Sequence, residues 1–511
     1  MKTIGNRIQE KPWLGWVLFF STMIIVFLLG MLTYTIIENR TAGQFAFVST
    51  NTLDPLDPRA EAWGRYFPRQ FNTYDQMADT TFRSKYLGSQ RRDLLADNPK
   101  LVILFAGFAF SRDYNLSRGH YYSVKDVQQS LRIGSPMEKG DGVMPATCWT
   151  CKSPDVVRLM DEHGVDEFYK KKLSDFGDEV VNPINCASCH NAEDMSLTLP
   201  LPTLAETFKR MGKDISTATH QEMRSLTCAQ CHVEYYFGKD NYLIFPWDEG
   251  MTAEDMGRYF DKIGFADWIH PLSKAPMIKA QHPDYEVFTT GIHYQRGVSC
   301  SDCHMPYKTQ GGMKFTDHQI QSPLNNIAAA CQTCHRQSEA ELIRNVYDRQ
   351  DMVYEVRTRL EDILVKLHLE AEFAWKLGAT EDQMREALHL IRHAQWHWDY
   401  VAATHGGSFH APLELTRTLG SGIDMAHEAR HKIARVLVQL GHTGPVPYPD
   451  VSTKRLAQEY IGIDLDKWKA DKAVFMEKVV PEWLRVAEER HRNWDELKRD
   501  PANAGDYIRR R

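Results

Sequence analysis

The ten cysteines of this chain constrain its fold more than any other feature, because every one belongs to a Cys-x-x-Cys pair. Four pairs are followed directly by histidine. These are Cys186/Cys189-His190, Cys228/Cys231-His232, Cys300/Cys303-His304 and Cys331/Cys334-His335. Cys-x-x-Cys-His is typical of covalent c-type haem attachment, in which two thiols bind the haem and the histidine binds the iron. The pattern therefore predicts four haems of one kind.

The fifth pair differs from the other four. Cys148-Trp149-Thr150-Cys151 is followed by Lys152. A lysine must lose its proton before it can bind iron, and both the charge of the iron and burial beside a haem favour the neutral amine. We interpret the pair as a fifth haem site with lysine on one side of the iron and an open position on the other. An unlike haem among similar ones is where a substrate would react.

Three other uses of paired cysteines are less consistent with this pattern. Structural zinc sites do not require histidine after every pair. Thioredoxin-like motifs occur singly beside a βαβ pattern, which is not evident here. A disulfide framework suits small secreted chains rather than one of 511 residues.

The composition is that of a globular protein with 43% hydrophobic and 25% charged residues and a net charge of −6. Proteins that bind nucleic acid usually present a basic face. A nucleic-acid partner is therefore not expected.

The N-terminus predicts a membrane-spanning helix. Lys2, Arg7 and Lys11 precede an uncharged stretch from Trp13 to Ile37, which is long enough to cross a bilayer. A cleaved signal peptide would have a shorter apolar region and a small-residue cleavage site, for which Thr41-Ala42-Gly43 is a poor candidate. The positive flank should stay in the cytoplasm. We expect an anchor, rather than a cleaved signal, that holds the protein on the periplasmic side of the bacterial inner membrane.

The fold is expected to be mainly α: a compact multihaem cytochrome c domain with long C-terminal helices and little β-structure. A capping box at Ser338–Glu341 begins a helix. Its apolar stripe favours a buried core face over a seam with a partner helix. The stripe consists of Val346, Val353, Val356, Leu360, Ile363 and Leu367. Further helices are predicted at about residues 381–403, 412–440 and 481–500.

Three parts of the chain are expected. Residues 1–40 form the membrane anchor, or an uncleaved signal. Residues 41–340 form the pentahaem catalytic region. Residues 341–511 form a long-helix region that completes the haem domain and provides a dimer interface.

Two sets of histidines need an explanation beyond the attachment motifs. An electron-transfer haem usually has two strong protein ligands, so four Cys-x-x-Cys-His haems need four more ligands. The chain has 21 histidines, which is an ample supply. His389, His393 and His397 recur every four residues on one predicted helix. They are compatible with a metal stripe, with a helix face near haem propionates, or with a subunit seam.

Three segments make the chain resemble cytochrome c nitrite reductase, the family of pentahaem, ammonia-forming enzymes of the bacterial periplasm. They are Cys148-Trp149-Thr150-Cys151-Lys152-Ser153-Pro154-Asp155, Cys228-Ala229-Gln230-Cys231-His232-Val233-Glu234-Tyr235-Tyr236 and Met277-Ile278-Lys279-Ala280-Gln281-His282-Pro283. The resemblance runs from about residue 100 to residue 412. It implies reduction of nitrite to ammonium at the lysine-ligated haem.

The resemblance also implies the second ligand of each histidine-bound haem. Here the haems are numbered by the position of their cysteine pairs along the chain, so that Cys148/Cys151 holds the first and Cys331/Cys334 the fifth. His318 then corresponds to the second haem, His120 to the third, His410 to the fourth and His293 to the fifth. His405 lies close to His410 and is its rival.

The resemblance also implies the residues of the substrate pocket. Arg132, Tyr235 and His282 match the polar groups around the open face of the iron that Lys152 binds. A guanidinium and an imidazole can attract an anion and polarise an N–O bond. Oxygen leaves as water, so a proton donor such as His282, or Tyr235 beside it, is needed.

A calcium site is implied next to this pocket. Its matched ligands are the Glu234 carboxylate, the backbone carbonyls of Tyr235 and Lys279, and the Gln281 side chain. An all-oxygen ligand set suits Ca²⁺.

The leading hypothesis is therefore an oxidoreductase that carries five haem c groups and calcium, with nitrite as its substrate. The resemblance implies a homodimer and a membrane quinol-oxidising multihaem cytochrome as electron donor. The alternatives are an electron-transfer multihaem cytochrome, or a related reductase of hydroxylamine or sulfite. Lys152 argues against the first alternative, because a cytochrome that only transfers electrons would be expected to have histidine after every Cys-x-x-Cys pair.

Overall fold

The computed structural model describes residues 4–44, 53–54 and 57–499, and the fold is mainly helical with little β-structure, as predicted. Lys2 lies outside the described residues. Helices α1 (Ile4–Glu10) and α2 (Trp13–Gln44) form the N-terminal part. Within α2, the stretch Trp13–Arg40 contains an 18-residue window whose mean hydropathy is 2.3, and that window is not buried against the rest of the molecule. The 28 residues of the stretch span about 42 Å, more than the roughly 30 Å hydrocarbon layer of a bilayer.

Between residues 57 and 335 the chain forms short helices joined by loops. They are α3 (Ala60–Gly64), α4 (Pro68–Asp75), α5 (Leu94–Asp97), α6 (Lys100–Leu104), α7 (Ser123–Gln129), α8 (Asp155–His163), α9 (Val165–Lys170), α10 (Pro202–Arg210), α11 (His220–Ala229), α12 (Ala253–Lys262), α13 (Asp284–Thr289), α14 (Ile292–Gln295), α15 (Cys300–His304) and α16 (Ile327–Ala330). Short 3₁₀ helices lie among them, including Leu131–Ile133 and Ala146–Trp149.

The β-structure consists of two-stranded antiparallel ribbons. They pair β1 (Arg92–Asp93) with β2 (Asn115–Leu116), β3 (Tyr236–Phe237) with β4 (Leu243–Ile244), β5 (Trp268–Ile269) with β6 (Pro276–Met277), and β7 (Tyr307–Gln310) with β8 (Met313–Thr316). Strands this short pin loops together but form no sheet that could make a core.

Long helices dominate the C-terminal part. They are α17 (Glu339–Lys376), α18 (Glu381–Ala403), α19 (Gly407–His410), α20 (Pro412–Gln439), α21 (Lys454–Tyr460) and α22 (Leu465–Arg499). At the start of α17 the Ser338 side chain accepts a hydrogen bond from the Glu341 backbone N–H, where the sequence predicts a cap. The bounds of α18 and α20 agree with the predicted helices.

The apolar stripe of α17 faces the core. Val353, Leu360 and Leu367 are fully buried, and the other three members of the stripe are half-buried. The helix packs against α18 and α20 of the same chain. The preference for a core face over a partner seam is therefore confirmed.

Helix α22 begins earlier than predicted. The sequence predicts a helix at about residues 481–500, but the helix already begins at Leu465 and Pro481 lies inside it. Proline removes one helical hydrogen bond. The buried residues Phe475, Val480 and Trp483 lie on both sides of it, so continuous packing of one helix face compensates for the loss.

The C-terminal helices share one hydrophobic core with the haem-motif region. This core includes buried residues from Leu95 to Trp483. A fully buried ion pair joins the two parts, since Lys279 Nζ lies 2.9 Å from Asp399 Oδ1 on α18. The irregular loops of residues 57–335 are therefore packed against the long C-terminal helices and tied to them by this ion pair.

We predict that α2 remains in the mature protein as an anchor. The native protein should sediment with membranes, need detergent for extraction and show an N-terminus before residue 13. A variant that begins at residue 57 behind a cleavable signal is the control, and it should be recovered in the soluble periplasmic fraction. A native N-terminus beyond residue 44 would contradict the prediction.

Candidate active site

One cavity of about 2380 Å³ runs through the haem-motif region. Nine of the ten cysteines line it, Cys148 being the exception, together with Lys152. The histidines of the four Cys-x-x-Cys-His motifs and the four predicted second ligands also line it. His120 and His410, which are 290 positions apart in the sequence, thus line the same cavity.

Each motif occupies about one helical turn. The backbone N–H of His190, His232 and His335 donates to the carbonyl of the first cysteine of its own motif, at 3.0, 2.9 and 2.9 Å. The Lys152 N–H likewise donates to the Trp149 carbonyl at 2.9 Å. Residues three or four apart on a helix face the same side. In the four histidine motifs the turn therefore presents both thiols and the following ligand to the cavity, and in the remaining motif it presents Cys151 and Lys152.

The structure places each motif histidine opposite one predicted second ligand. Ring centroids are 6.1 Å apart for His190–His318, 6.1 Å for His120–His232, 6.3 Å for His304–His410 and 6.3 Å for His293–His335. Two imidazoles that bind one metal through nitrogen at about 2 Å, with each ring centre about 1 Å further out, have centroids about 6 Å apart. The four pairs therefore have the spacing that one haem iron between two imidazoles requires.

The protonation and orientation of these rings also suit iron binding. Burial lowers the pKa of His120 to about 3 and the pKa of His318 and His410 to about 4, so the rings are neutral and offer a lone pair. His190 Nδ1 and His304 Nδ1 lie 2.9 Å from the carbonyls of Met195 and Gln321, respectively. Such contacts fix the Nδ1–H tautomer and leave Nε2 for a metal.

The structure separates the rivals His410 and His405. The His410 ring faces His304, whereas the His405 ring stacks on His282 with centroids 5.0 Å apart. Gly406 makes room for the His410 ring, since a Cβ there would lie 2.5 Å from His410 Cε1. His405 is tied instead to Asp284, which accepts from its backbone N–H at 2.7 Å.

Arg132 is held rigidly at the edge of the cavity. It lies in the 3₁₀ helix Leu131–Ile133, and both its backbone N–H and its Nε–H donate to Ser130 Oγ, at 3.1 and 3.2 Å. Ser130 Oγ donates to the buried carboxylate of Asp113 at 3.2 Å. The Arg132 guanidinium carbon lies 4.4 Å from the centre of the Phe110 ring. Among the described residues its outer N–H groups have no hydrogen-bond partner, so they can meet an anion.

Tyr235 and His282 lie beside each other, with ring centroids 6.4 Å apart. Burial raises the pKa of Tyr235 well above its ordinary value, and Cys148 and Cys151 contribute to the rise. Burial, with His405 and Lys152 nearby, holds the pKa of His282 well below its ordinary value. The His282 ring is therefore neutral at pH 7, and the Arg132 guanidinium, which stays protonated in proteins, brings a positive charge to the pocket.

The predicted calcium ligands surround a buried carboxylate. Glu234 is inaccessible to solvent, its Oε2 accepts from the Gln281 backbone N–H at 2.6 Å, and its Oε1 has no hydrogen-bond partner. The Gln281 Nε2–H group donates to the Lys279 carbonyl at 3.2 Å. Burial raises the pKa of Glu234 well above its ordinary value and the pKa of the adjacent Glu286 to about 8. A buried carboxylate oxygen with no hydrogen-bond partner among the described residues suits a divalent cation.

The sequence did not predict three acidic residues that lie around the Tyr235 and His282 pocket. Asp284 accepts from His405 and lies 3.3 Å from His232 Nδ1. Asp399 receives both the Lys279 ammonium and the Ala280 backbone N–H. Glu286 accepts from the Glu234 backbone N–H at 2.8 Å. The one available signal was an acidic residue inside an otherwise apolar segment, as with Asp399 between Trp398 and Tyr400.

The helical fold and the repeated Cys-x-x-Cys motifs along one cavity are those of a multihaem c-type cytochrome. A family model described as cytochrome c552 matches residues 59–493. The chain belongs to the cytochrome c552 family, which confirms the resemblance inferred from its three motifs.

Relatives and a solved structure agree with this assignment. The chain is 53% identical over 484 residues to cytochrome c-552 of Parabacteroides distasonis, covering 94% of this chain and 98% of that one. It is 54% identical over 480 residues to cytochrome c-552 of Porphyromonas gingivalis, covering 93% and 96%. It is also similar to the solved catalytic subunit of cytochrome c nitrite reductase from Desulfovibrio desulfuricans, described as having two calcium sites. The TM-score is 0.72 at 30% identity, covering 81% of this chain and 90% of that one.

We predict five covalent haems, because the ten cysteines form five pairs with none left over. Mass spectrometry of the denatured chain should show five haem additions. The Cys148→Ala/Cys151→Ala variant is the control and should carry four. Four additions on the unchanged chain, with Cys148 and Cys151 alkylatable, would contradict the prediction.

Proposed function

We propose that this protein reduces nitrite to ammonium at a haem c bound by Lys152, and that four further haems, each held between two histidines, supply the electrons. The observation that carries the proposal is the set of four facing histidine pairs, in which each Cys-x-x-Cys-His motif has a partner. In the motif without histidine, Lys152 lies near His282 in the cavity that Arg132 also lines, and Tyr235 lies beside His282. The similarity to a solved cytochrome c nitrite reductase supports the choice of substrate.

The contacts between motifs support a route for the electrons. The Cys151 thiol lies beside the Cys231 thiol, which joins the first motif to the third. The Cys228 thiol lies beside Cys300, which joins the third motif to the fourth. Cys303 of the fourth motif is close enough to Cys331 of the fifth for electrostatic interaction. The order fifth, fourth, third, first therefore leads to the Lys152 site, and the second motif branches from the third through Cys189.

The chain's own residues account for binding and protonation of the anion. Arg132 supplies a fixed positive charge for a nitrite oxygen, since charge-assisted hydrogen bonds are the stronger ones. His282 is neutral before the anion arrives, and a neighbouring negative charge favours its protonated form. It can then donate a proton to a departing oxygen, with Tyr235 as a second donor. The haem, when bound, supplies the electrons and the open iron position.

Reduction of nitrite to ammonium takes six electrons, so a site fed by several haems suits it better than a single carrier. A purely electron-transferring cytochrome would not need the Arg132, Tyr235 and His282 pocket. Hydroxylamine and sulfite would meet the same donors, and we propose them as secondary substrates at most.

We predict that Arg132→Ala keeps a normal haem spectrum but loses nitrite turnover. Loss of one charged donor to the reacting anion corresponds to about 2–4 kcal/mol of transition-state stabilisation. Ammonium formation with reduced viologen as electron source is the measurement. Arg132→Lys, which keeps the charge, should retain part of the rate, and Arg118→Ala, which removes another cavity arginine, is the matched control. Lys152→His should likewise keep the haem attached and lower turnover. Wild-type rates in Arg132→Ala and Lys152→His would favour the electron-transfer alternative.

We also propose that Glu234, the carbonyls of Tyr235 and Lys279, and the Gln281 side chain hold Ca²⁺. The ion would supply a positive charge to a buried carboxylate that otherwise has none within hydrogen-bond contact. It would also fix the two segments that carry Tyr235 and His282 relative to each other.

We predict that Glu234→Gln loses calcium and lowers nitrite turnover, because the only carboxylate among the proposed ligands is removed. Calcium content per chain is measured by elemental mass spectrometry. Glu286→Gln is the matched control, since a glutamine oxygen can still accept from the Glu234 backbone N–H and Trp247. It should keep its calcium. Full calcium in Glu234→Gln would overturn the assignment.

The remaining partners are proposals of the same kind. We propose that residues 1–40 anchor the protein on the periplasmic face of the inner membrane, where a quinol-oxidising multihaem cytochrome donates electrons.

We propose residues 41–340 as the pentahaem catalytic region. We propose that residues 341–511 complete the haem domain and provide the contact for a homodimer.

A further inference from the structure

Two helices outside the cavity bring a carboxylate and two imidazoles together on the surface. Asp261 is near the end of α12, and His389 and His393 lie four residues apart on α18. Their potential ligand atoms all lie within 4.8 Å of one another. None of the three lines the cavity. We propose that they form a binding site for a divalent transition-metal ion of the Zn²⁺ class.

The spacing of the histidines suits this chemistry. Residues at i and i+4 lie on the same face of a helix, and the same spacing lets two histidines share one zinc ion in helical metal sites. The rings of His389 and His393 are 4.5 Å apart between centroids. The third histidine of the stripe, His397, is not part of the site, because its Nε2 points toward Glu254 at 3.5 Å.

The carboxylate is already oriented for the site. Asp261 Oδ2 lies 2.6 Å from His393 Nε2, while Oδ1 accepts from Arg392 Nε–H at 2.9 Å. Arg392 itself is fixed by the carbonyls of Pro276 and Phe265, at 3.0 and 2.7 Å. Arg392 therefore fixes one carboxylate oxygen, as groups around metal ligands commonly do. An ion bound between Asp261 Oδ2 and His393 Nε2 would replace the hydrogen bond that joins those two atoms.

The ligand set determines which ions are suitable. Two imidazoles and one carboxylate fit Zn²⁺ and its neighbours among the divalent transition metals, whereas Ca²⁺ and Mg²⁺ prefer oxygen ligands throughout. Asp261 and His389 are exposed and His393 is half-buried, so water can complete the coordination. The bound ion would join α12 to α18, the helix that also carries Asp399.

The experiment uses the untagged holoprotein, stripped with a chelator, resupplied with Ca²⁺ and then dialysed against Zn²⁺ with Ca²⁺ in excess. Zinc per chain is measured by elemental mass spectrometry, and thermal unfolding is followed with and without Zn²⁺. The wild type should retain one zinc, and its melting temperature should rise with Zn²⁺ because the ion binds only the folded site.

Three variants locate the binding. His389→Ala/His393→Ala should lose the zinc and the thermal shift. His427→Ala/His431→Ala is the matched control, since it removes two exposed histidines with the same spacing on α20, and it should keep both. Asp261→Asn keeps the size of the side chain and should weaken zinc binding at least about tenfold.

Three results would overturn the proposal. They are a wild type that retains no more zinc than His389→Ala/His393→Ala, a control that loses zinc to the same extent, and an Asp261→Asn variant that binds as tightly as the wild type. None of these results depends on the proposed reduction of nitrite, and the haem spectrum reports separately whether each variant is folded.

Discussion

The spacing of facing imidazoles is the constraint on which the rest of this structure depends. A metal between two rings requires them to lie within a narrow distance, and each pair joins a motif histidine to a residue elsewhere in the sequence. His190 lies opposite His318, which follows β8 by two residues, and His304 lies opposite His410 at the end of α19. Four such requirements leave little freedom in the irregular region of residues 57–335. That region accordingly consists of short helices and loops rather than of a regular sheet or bundle.

The long C-terminal helices supply the rigidity that short elements cannot provide. Asp399 on α18 accepts from the Lys279 ammonium and from the Ala280 backbone N–H, and so holds the segment that leads to Gln281 and His282. Both charges are fully buried. Removing one partner of such a pair typically costs about 3–5 kcal/mol, because the other charge is left uncompensated. The pocket is thus positioned from a helix that follows it by more than a hundred residues in the sequence.

The pocket also shows how burial assigns roles to similar side chains. His282 and His405 are stacked, yet burial leaves His282 neutral, whereas the Asp284 carboxylate outweighs burial and raises the pKa of His405. In the proposed reaction the positive charge that meets nitrite therefore comes from Arg132, and His282 enters as a neutral ring that gains a proton when the anion binds. The sequence alone indicates only that Arg132 and His282 can attract an anion. It does not show that burial keeps His282 neutral while a neighbouring carboxylate favours the protonated form of His405.

Sequence alone determined what depends on covalent chemistry and local periodicity. The Cys-x-x-Cys pairs, the departure at Lys152, the apolar stripe of α17 and the span of α2 are all properties of neighbouring residues, and the family assignment follows from short motifs. The tertiary structure decided what depends on burial and on distant contacts. It placed His410 rather than His405 opposite His304, extended α22 through Pro481, and brought Asp284 and Asp399 to the pocket. It also placed Asp261 beside two histidines of another helix. These outcomes depend on which side chains are buried and on which residues, distant in the sequence, they contact. Neither can be read from the sequence alone.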